Sequence, residues 1–259
     1  MTDAWTRRIA RADELASRDT AAGSLLRVYA RLLRLQCDSY TTLSEPTRGL
    51  SGDLARDLPR VRPCAVRMLH ALDTIVPPHI ATEAAQLLAG GDAAIDAALI
   101  GGWQNAQGDF FAKLALQPYA ECLAQMEMRP IARDPQAEGA RCPFCAGAPQ
   151  VSVLHGESTS DGGGRSLQCA TCATTWPFRR VVCARCGTED ERQLGYFQAP
   201  EFDHVRVDVC DGCGHYLKTI DLTRLGHAVP LVDDVASGSL DLWAVNQGYR
   251  RIEPNLVGL

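Results

Sequence analysis

An α+β multidomain chain is predicted: an all-helical N-terminal domain, then two tandem four-cysteine modules, then a C-terminal helix. Three observations predict it. Apolar residues recur at helical spacing between residues 5 and 129, eight cysteines fall into four C-x-x-C pairs after residue 141, and short β-type runs surround those pairs. The limits that follow are 1–130 for the helical domain, 131–141 for a linker, 142–181 and 182–222 for the modules, and 223–259 for the closing helix and tail.

The helical reading rests on apolar faces: Trp5, Ile9 and Ala12; Leu25, Val28, Tyr29 and Leu32; Val66, Leu69, Leu72 and Val76; Ile80, Ala84 and Leu87; Ile95, Leu99 and Trp103; Phe110 and Leu114. Pro46, Gly49 and Gly52 mark one break, Pro77–Pro78 a second and Gly90–Gly91 a third. Six or seven helices are expected, with Pro118 kinking or restarting the last. Phe110, Phe111, Met126 and Met128 read as core residues rather than a ligand box. Residues 130–141 have the proline, glycine and charge content of a linker.

Among eleven cysteines, Cys37, Cys64 and Cys122 are scattered. The other eight pair as Cys142/Cys145, Cys169/Cys172, Cys183/Cys186 and Cys210/Cys213. Adding 41 to the first two pairs gives the last two without a slip, and 23 residues separate the pairs inside each module. That is the signature of a duplicated unit. A C-x-x-C turn points two sulfurs at one centre, and two facing turns make the tetrahedron that zinc, or iron in a rubredoxin-like site, accepts. The metal ligands expected are Cys142, Cys145, Cys169 and Cys172 for one ion, and Cys183, Cys186, Cys210 and Cys213 for the other. Disulfides fit poorly with a chain lacking an export signal, and redox C-x-x-C pairs need a βαβ setting. A partition joining Cys169/Cys172 to Cys183/Cys186 is the alternative that the 41-residue repeat opposes. Gly187 and Gly214 follow the second cysteine of their turns, whereas Ala146 and Ala173 stand there in the first module, which suggests different, looser turns.

Strands are expected at 151–154, 166–168, 175–181, 193–199, 204–209 and 216–221, in small antiparallel sheets hung on the cysteine turns. Residues 156–164 read as the most flexible loop inside a module. A closing helix is expected over 232–247, with Leu240, Trp243 and Ala244 on one face and Asp233 and Asp234 complementing the dipole of its first turn.

Several function classes are disfavoured. The net charge is −5, neither half of the chain is basic, and thiolate centres add negative charge, so no nucleic-acid partner is expected. No apolar run is long enough to span a bilayer. The N-terminus has no apolar stretch after Arg7–Arg8, so a cytoplasmic location is expected. Walker, H-E-x-x-H, G-x-S-x-G and dinucleotide-loop motifs are absent, so no catalytic residue is assigned and the chain is not expected to be an enzyme. The six histidines form no metal-spaced cluster, and His215 reads as a neighbour of the second sulfur centre rather than a ligand. Arg179–Arg180 and Arg250–Arg251 read as solvated pairs.

CPFC, SLQCATCATTWPFRRVVCARCG, VDVCDGCGHYLKTID and LVDDVASGSLDLWAVNQGYRRIEPN resemble the formate dehydrogenase accessory proteins of the FdhE type, over roughly residues 142–255. Trp176, Arg180, Tyr216, Leu217, Lys218, Asp233 and Asp234 add to the likeness. The resemblance implies a cytoplasmic, chaperone-like factor that binds the catalytic subunit of a formate dehydrogenase and supports its maturation before export. It also implies that the two sets of four cysteines hold iron. The competing classes are a rubredoxin-like electron carrier and a zinc-ribbon nucleic-acid binder.

Overall fold

The structure is a computed structural model that describes residues 3–18, 22–45, 49–104, 109–130, 139–156 and 164–259. Pro46, most of the 131–141 linker and all but the ends of the 156–164 loop lie outside the described residues.

Six helices form the first layer: α1 (Asp3–Ala16), α2 (Gly23–Leu43), α3 (Leu54–Leu72), α4 (Pro78–Ala89), α5 (Gly91–Gln104) and α6 (Phe110–Gln125). α1 packs on α2, α2 on α6, and α3 on α4, α5 and α6. Their apolar stripes close one core around Trp5, Leu26, Leu33, Leu72, Tyr119 and Leu123. Asp53 and Asp109 cap α3 and α6 by accepting the backbone N–H groups of Ala55 and Ala112. α3 begins well before its predicted apolar face and runs through Pro59 and Pro63. Both prolines lie on the exposed side, where water can reach the carbonyls they leave without a donor. α6 is not interrupted at Pro118. Phe110 and Phe111 are half-buried as expected of core residues, whereas Met126, at the end of α6, is exposed.

The second half is one sheet of seven strands: β1 (Pro149–Leu154), β2 (Arg165–Cys169), β3 (Thr175–Pro177), β4 (Leu194–Gln198), β5 (Val205–Cys210), β6 (His215–Asp221) and β7 (Arg250–Arg251). Six of these were expected within a few residues. The order is β3-β2-β1-β6-β5-β4, with β7 beside β6. Each module is an antiparallel three-stranded meander, but the meanders are not separate: β1 pairs with β6 in parallel, Val151 opposite Lys218 and Leu154 opposite Asp221. Periodicity along a strand reports its two faces and carries no information about its lateral neighbour, so this join had no sequence signal.

The single closing helix is two short ones, α7 (Pro230–Ala236) and α8 (Gly238–Asn246), broken at Ser237. The Ser237 hydroxyl donates to the carbonyls of Asp233 and Asp234 and so competes with the helical ladder at that point. α7 packs on α1, α2, β1 and β6, and thus ties the helical layer to the sheet.

Candidate metal centres

All four cysteine turns are built alike. The carbonyl of the first cysteine accepts the N–H of the residue four positions on: Ala146 to Cys142, Ala173 to Cys169, Gly187 to Cys183 and Gly214 to Cys210, at 2.8–3.2 Å. That fourth residue is left-handed in every turn, with φ of 57° at Ala146, 55° at Ala173, 75° at Gly187 and 67° at Gly214. The alanine turns are therefore neither different nor looser. They adopt the glycine geometry and carry the Cβ strain of it. Gly147 answers a separate constraint: a Cβ there would approach Cys169 Sγ and Thr171 Oγ1 to 2.8 Å.

The turns bring the sulfurs together four and four. Cys142 Sγ lies 3.6 Å from Cys172 Sγ, and Cys145 Sγ lies 3.5 Å from Cys169 Sγ. In the second set, Cys183–Cys213 and Cys186–Cys210 are both 3.8 Å apart. Within each set all sulfurs lie within 4.8 Å of one another. A tetrahedron with metal–sulfur bonds of about 2.3 Å has edges of about 3.8 Å, so both sets have the dimensions of a tetrathiolate site. The donor set suits zinc and iron alike. The alternative partition, Cys169/Cys172 with Cys183/Cys186, does not occur. His215 joins neither set; its Nδ1 lies 2.8 Å from the Cys213 carbonyl.

Thiol acidity in the first set is split. Hydrogen bonds from Cys145, Cys169 and Cys172 pull Cys142 far down, whereas burial pushes Cys169 far up. A buried cluster can carry part of the thiolate charge on shared protons, and four thiolates together require a cation.

The two centres differ in their surroundings. Cys142, Cys145, Cys169 and Cys172 are all buried and belong to the same apolar core as the helices. Gln117 on α6 donates to the Ala170 carbonyl at 2.8 Å, and Arg129 donates to the Pro143 carbonyl at 3.2 Å, clamping both turns. In the second set Cys186 is exposed and Cys213 half-exposed. Two of its residues, Cys183 and Cys210, line a cavity of about 310 Å³ together with Arg165, Arg180, Arg206, Asp208 and Tyr196.

Sequence reasoning missed a buried ionic clasp behind the sheet. Lys218, fully buried on β6, donates to Asp241 Oδ2 at 2.5 Å and lies 2.9 Å from Asp234 Oδ1. Arg251 bridges the same two carboxylates at 2.8 and 2.6 Å. Tyr216, Gln150 and Asn255 complete the ring of donors. Burial alone would raise Asp234, yet Arg251 and Lys218 hold its carboxyl down at about 2. The available signal was Lys218 itself, a charge inside the apolar run of β6 and one of only two lysines in the chain. Asp233 does more than complement the α7 dipole: it takes two hydrogen bonds from Arg11 of α1, at 2.6 and 3.1 Å, and faces His204 Nε2 at 3.0 Å.

Comparison with known proteins agrees with this architecture. The central-domain model of the FdhE family matches residues 141–180, and the C-terminal-domain model matches residues 181–257. Residues 141–257 are thus similar to the FdhE family across both domains. The FdhE homolog of Aquifex aeolicus (strain VF5) is 42% identical over 118 residues, which cover 45% of this chain and 41% of the relative. The FdhE homolog of Haemophilus ducreyi (strain 35000HP / ATCC 700724) is 35% identical over 144 residues, 54% of this chain and 45% of the relative. In these matches the chain spans about four tenths of the relatives' own length. The crystal structure of the FdhE protein from Pseudomonas aeruginosa superposes with a TM-score of 0.70 at 25% identity, over 99% of this chain and 96% of that one. The helical layer therefore shares the FdhE fold as well. The boundary between the two family domains falls between the two cysteine modules.

Proposed function

We propose that this chain is a formate dehydrogenase accessory factor: a cytoplasmic, non-catalytic protein that binds the catalytic subunit of the enzyme while it matures before export. In this reading Cys142, Cys145, Cys169 and Cys172 hold one metal ion, and Cys183, Cys186, Cys210 and Cys213 hold a second, iron or zinc. The observation that carries it is the continuous match of residues 141–257 to both FdhE domains, with all eight cysteines inside. The ions act first as staples, because each meander alone is too small to hold its turns. A holding factor must bind the immature client more tightly than the finished one; a hundredfold preference corresponds to about 2.7 kcal/mol. No described helix is long and apolar enough to cross a membrane.

Affinity capture with the full chain tests this reading, with metal analysis of the same sample. The expected result is a formate dehydrogenase large subunit retained before cofactor insertion and released after it. Equal capture of the mature enzyme, or no capture of the immature subunit, would remove the reading.

A second reading, a rubredoxin-like electron carrier, draws on the exposure of Cys186. It requires iron at the second centre and a reversible one-electron couple. A colourless chain with two zinc ions rules it out.

A further inference from the structure

The duplicated module exposes an edge that its sister keeps paired. β1 and β4 are topological counterparts: each is the first strand of its meander and pairs antiparallel with the strand that ends on the third C-x-x-C cysteine of its set, Pro149 opposite Cys169 and Leu194 opposite Cys210. The other edge of β1 is covered by β6, running parallel, and every residue of β1 is buried. β4 ends the sheet, with no strand beyond it among the described residues. Its sequence, LGYFQ, has no charge and no proline, and its register with β5 has no bulge. Those are the devices that normally blunt an edge. The opposite edge, β3, is three residues long and ends in Pro177.

The outward backbone groups of β4 can be named. Asp211 N–H donates to the Gln193 carbonyl, and in this register the hydrogen-bonded pairs continue as Gly195/Val209 and Phe197/Val207. The N–H and C=O groups of Tyr196 and Gln198 and the C=O of Leu194 therefore point away from the sheet, whereas the Leu194 N–H donates to the Glu191 carbonyl.

The two faces beside this edge differ in chemistry. On one, Phe197 packs against Trp243, the rings tilted by 54° with centroids 4.5 Å apart, and borders a cleft of about 960 Å³ walled by Leu25, Leu26, Phe202 and Leu242. On the other, Tyr196, 65% exposed, lies under the Arg206 guanidinium at 5.1 Å. The cavity there is lined by Arg165 and Arg206, with the one carboxylate of Asp208 between them at 3.3 and 2.8 Å. Cys183 and Cys210 of the sulfur centre and His215 also line it.

We propose that β4 accepts an extended segment of the client subunit as an eighth strand, parallel to β4 as β6 is to β1, with apolar side chains in the Phe197–Trp243 cleft and acidic ones toward Arg206. This rests on the accessory-factor reading for the identity of the partner, and on the repeat for the mode of binding. Main-chain hydrogen bonds to Leu194, Tyr196 and Gln198 supply affinity, and the two unlike faces fix the register of alternate side chains.

Tyr196→Pro removes an outward N–H and leaves the bonds between β4 and β5 in place; Tyr196→Ala removes the ring and keeps the N–H. The probe is a fluorescent eight-residue peptide of alternating valine and glutamate, titrated into the metal-loaded full chain, with a valine–lysine peptide as comparison. Saturable binding of the glutamate peptide is expected, weakened about tenfold or more by Tyr196→Pro and by exchange of glutamate for lysine, and only a few-fold by Tyr196→Ala. Metal content and circular dichroism identify any variant that misfolds, in which case Gln198→Pro replaces it. Absence of binding to the unaltered chain, equal binding of both peptides, or binding untouched by the proline variants overturns the proposal. The isolated formate dehydrogenase large subunit separates the two readings. If it binds the unaltered chain and Tyr196→Pro equally, strand addition fails and the accessory reading stands. If it binds neither while the glutamate peptide binds, the accessory reading fails and strand addition stands.

Discussion

The two cysteine modules share a 41-residue repeat, the same left-handed turns and sulfur tetrahedra of nearly equal edge, yet they occupy opposite environments. The first is buried against α6 and continuous with the helical core; the second presents Cys186 to solvent and leaves the outer edge of β4 without a strand among the described residues. The same sulfur geometry in unlike surroundings separates two settings for a metal site. In the first module the four thiols sit at the junction on which the helical layer rests. In the second they belong to a meander whose outer edge is open.

The largest expected contrast comes from losing one ligand in each centre. Cys169→Ser should lose one ion and on the order of 5 kcal/mol of stability, with loss of helical signal as well, because its centre is part of the shared core. Cys210→Ser should also lose one ion but leave the helical layer folded. Thermal unfolding followed by circular dichroism, with metal analysis, checks both; equal damage from the two variants would break the comparison.

Next in size is the clasp that binds the two meanders. Lys218→Met leaves Asp234 and Asp241 buried with Arg251 as their only cation, and should cost about 3–5 kcal/mol in denaturant unfolding. The same clasp carries an acid dependence. The folded Asp234 carboxyl titrates at about 2 against an ordinary 3.8, so its contribution is complete above pH 4 and is lost as pH falls toward 2. Unfolding midpoints of the full chain and of Asp234→Asn should converge over that window, and parallel curves would contradict the assignment.

The smallest effects test the turns. Ala146→Gly and Ala173→Gly relieve a left-handed Cβ and should each stabilise the first module by up to about 1 kcal/mol. Gly187→Ala should destabilise the second by about the same amount, since nothing but backbone strain opposes a Cβ there.

Much of this was legible in the residues. The cysteine spacing named both tetrahedra, because a repeat with matched gaps fixes which thiols face one another. Alternation placed six strands, and apolar stripes placed the helical layer. The β1–β6 join escaped because lateral strand pairing leaves no periodic trace. The break at Ser237 escaped because a serine side chain ended a helix that the apolar face would have continued. Ala146 and Ala173 misled for a different reason: metal-site geometry overrode local preference, and the residue type understated the tightness of the turn. The clasp needed Lys218, Asp234, Asp241 and Arg251 to converge from β6, α7, α8 and β7.

Stepwise chelation of the metal-loaded full chain tests the central contrast most directly. Two metal equivalents are expected, released in two phases separated by about tenfold or more in rate, as follows from opening a buried core against a solvent-facing site. The fast phase should be missing in Cys210→Ser and kept in a chain whose first centre alone is disrupted. A single phase, or a fast phase that survives Cys210→Ser, would contradict the division into a buried first centre and an open second one.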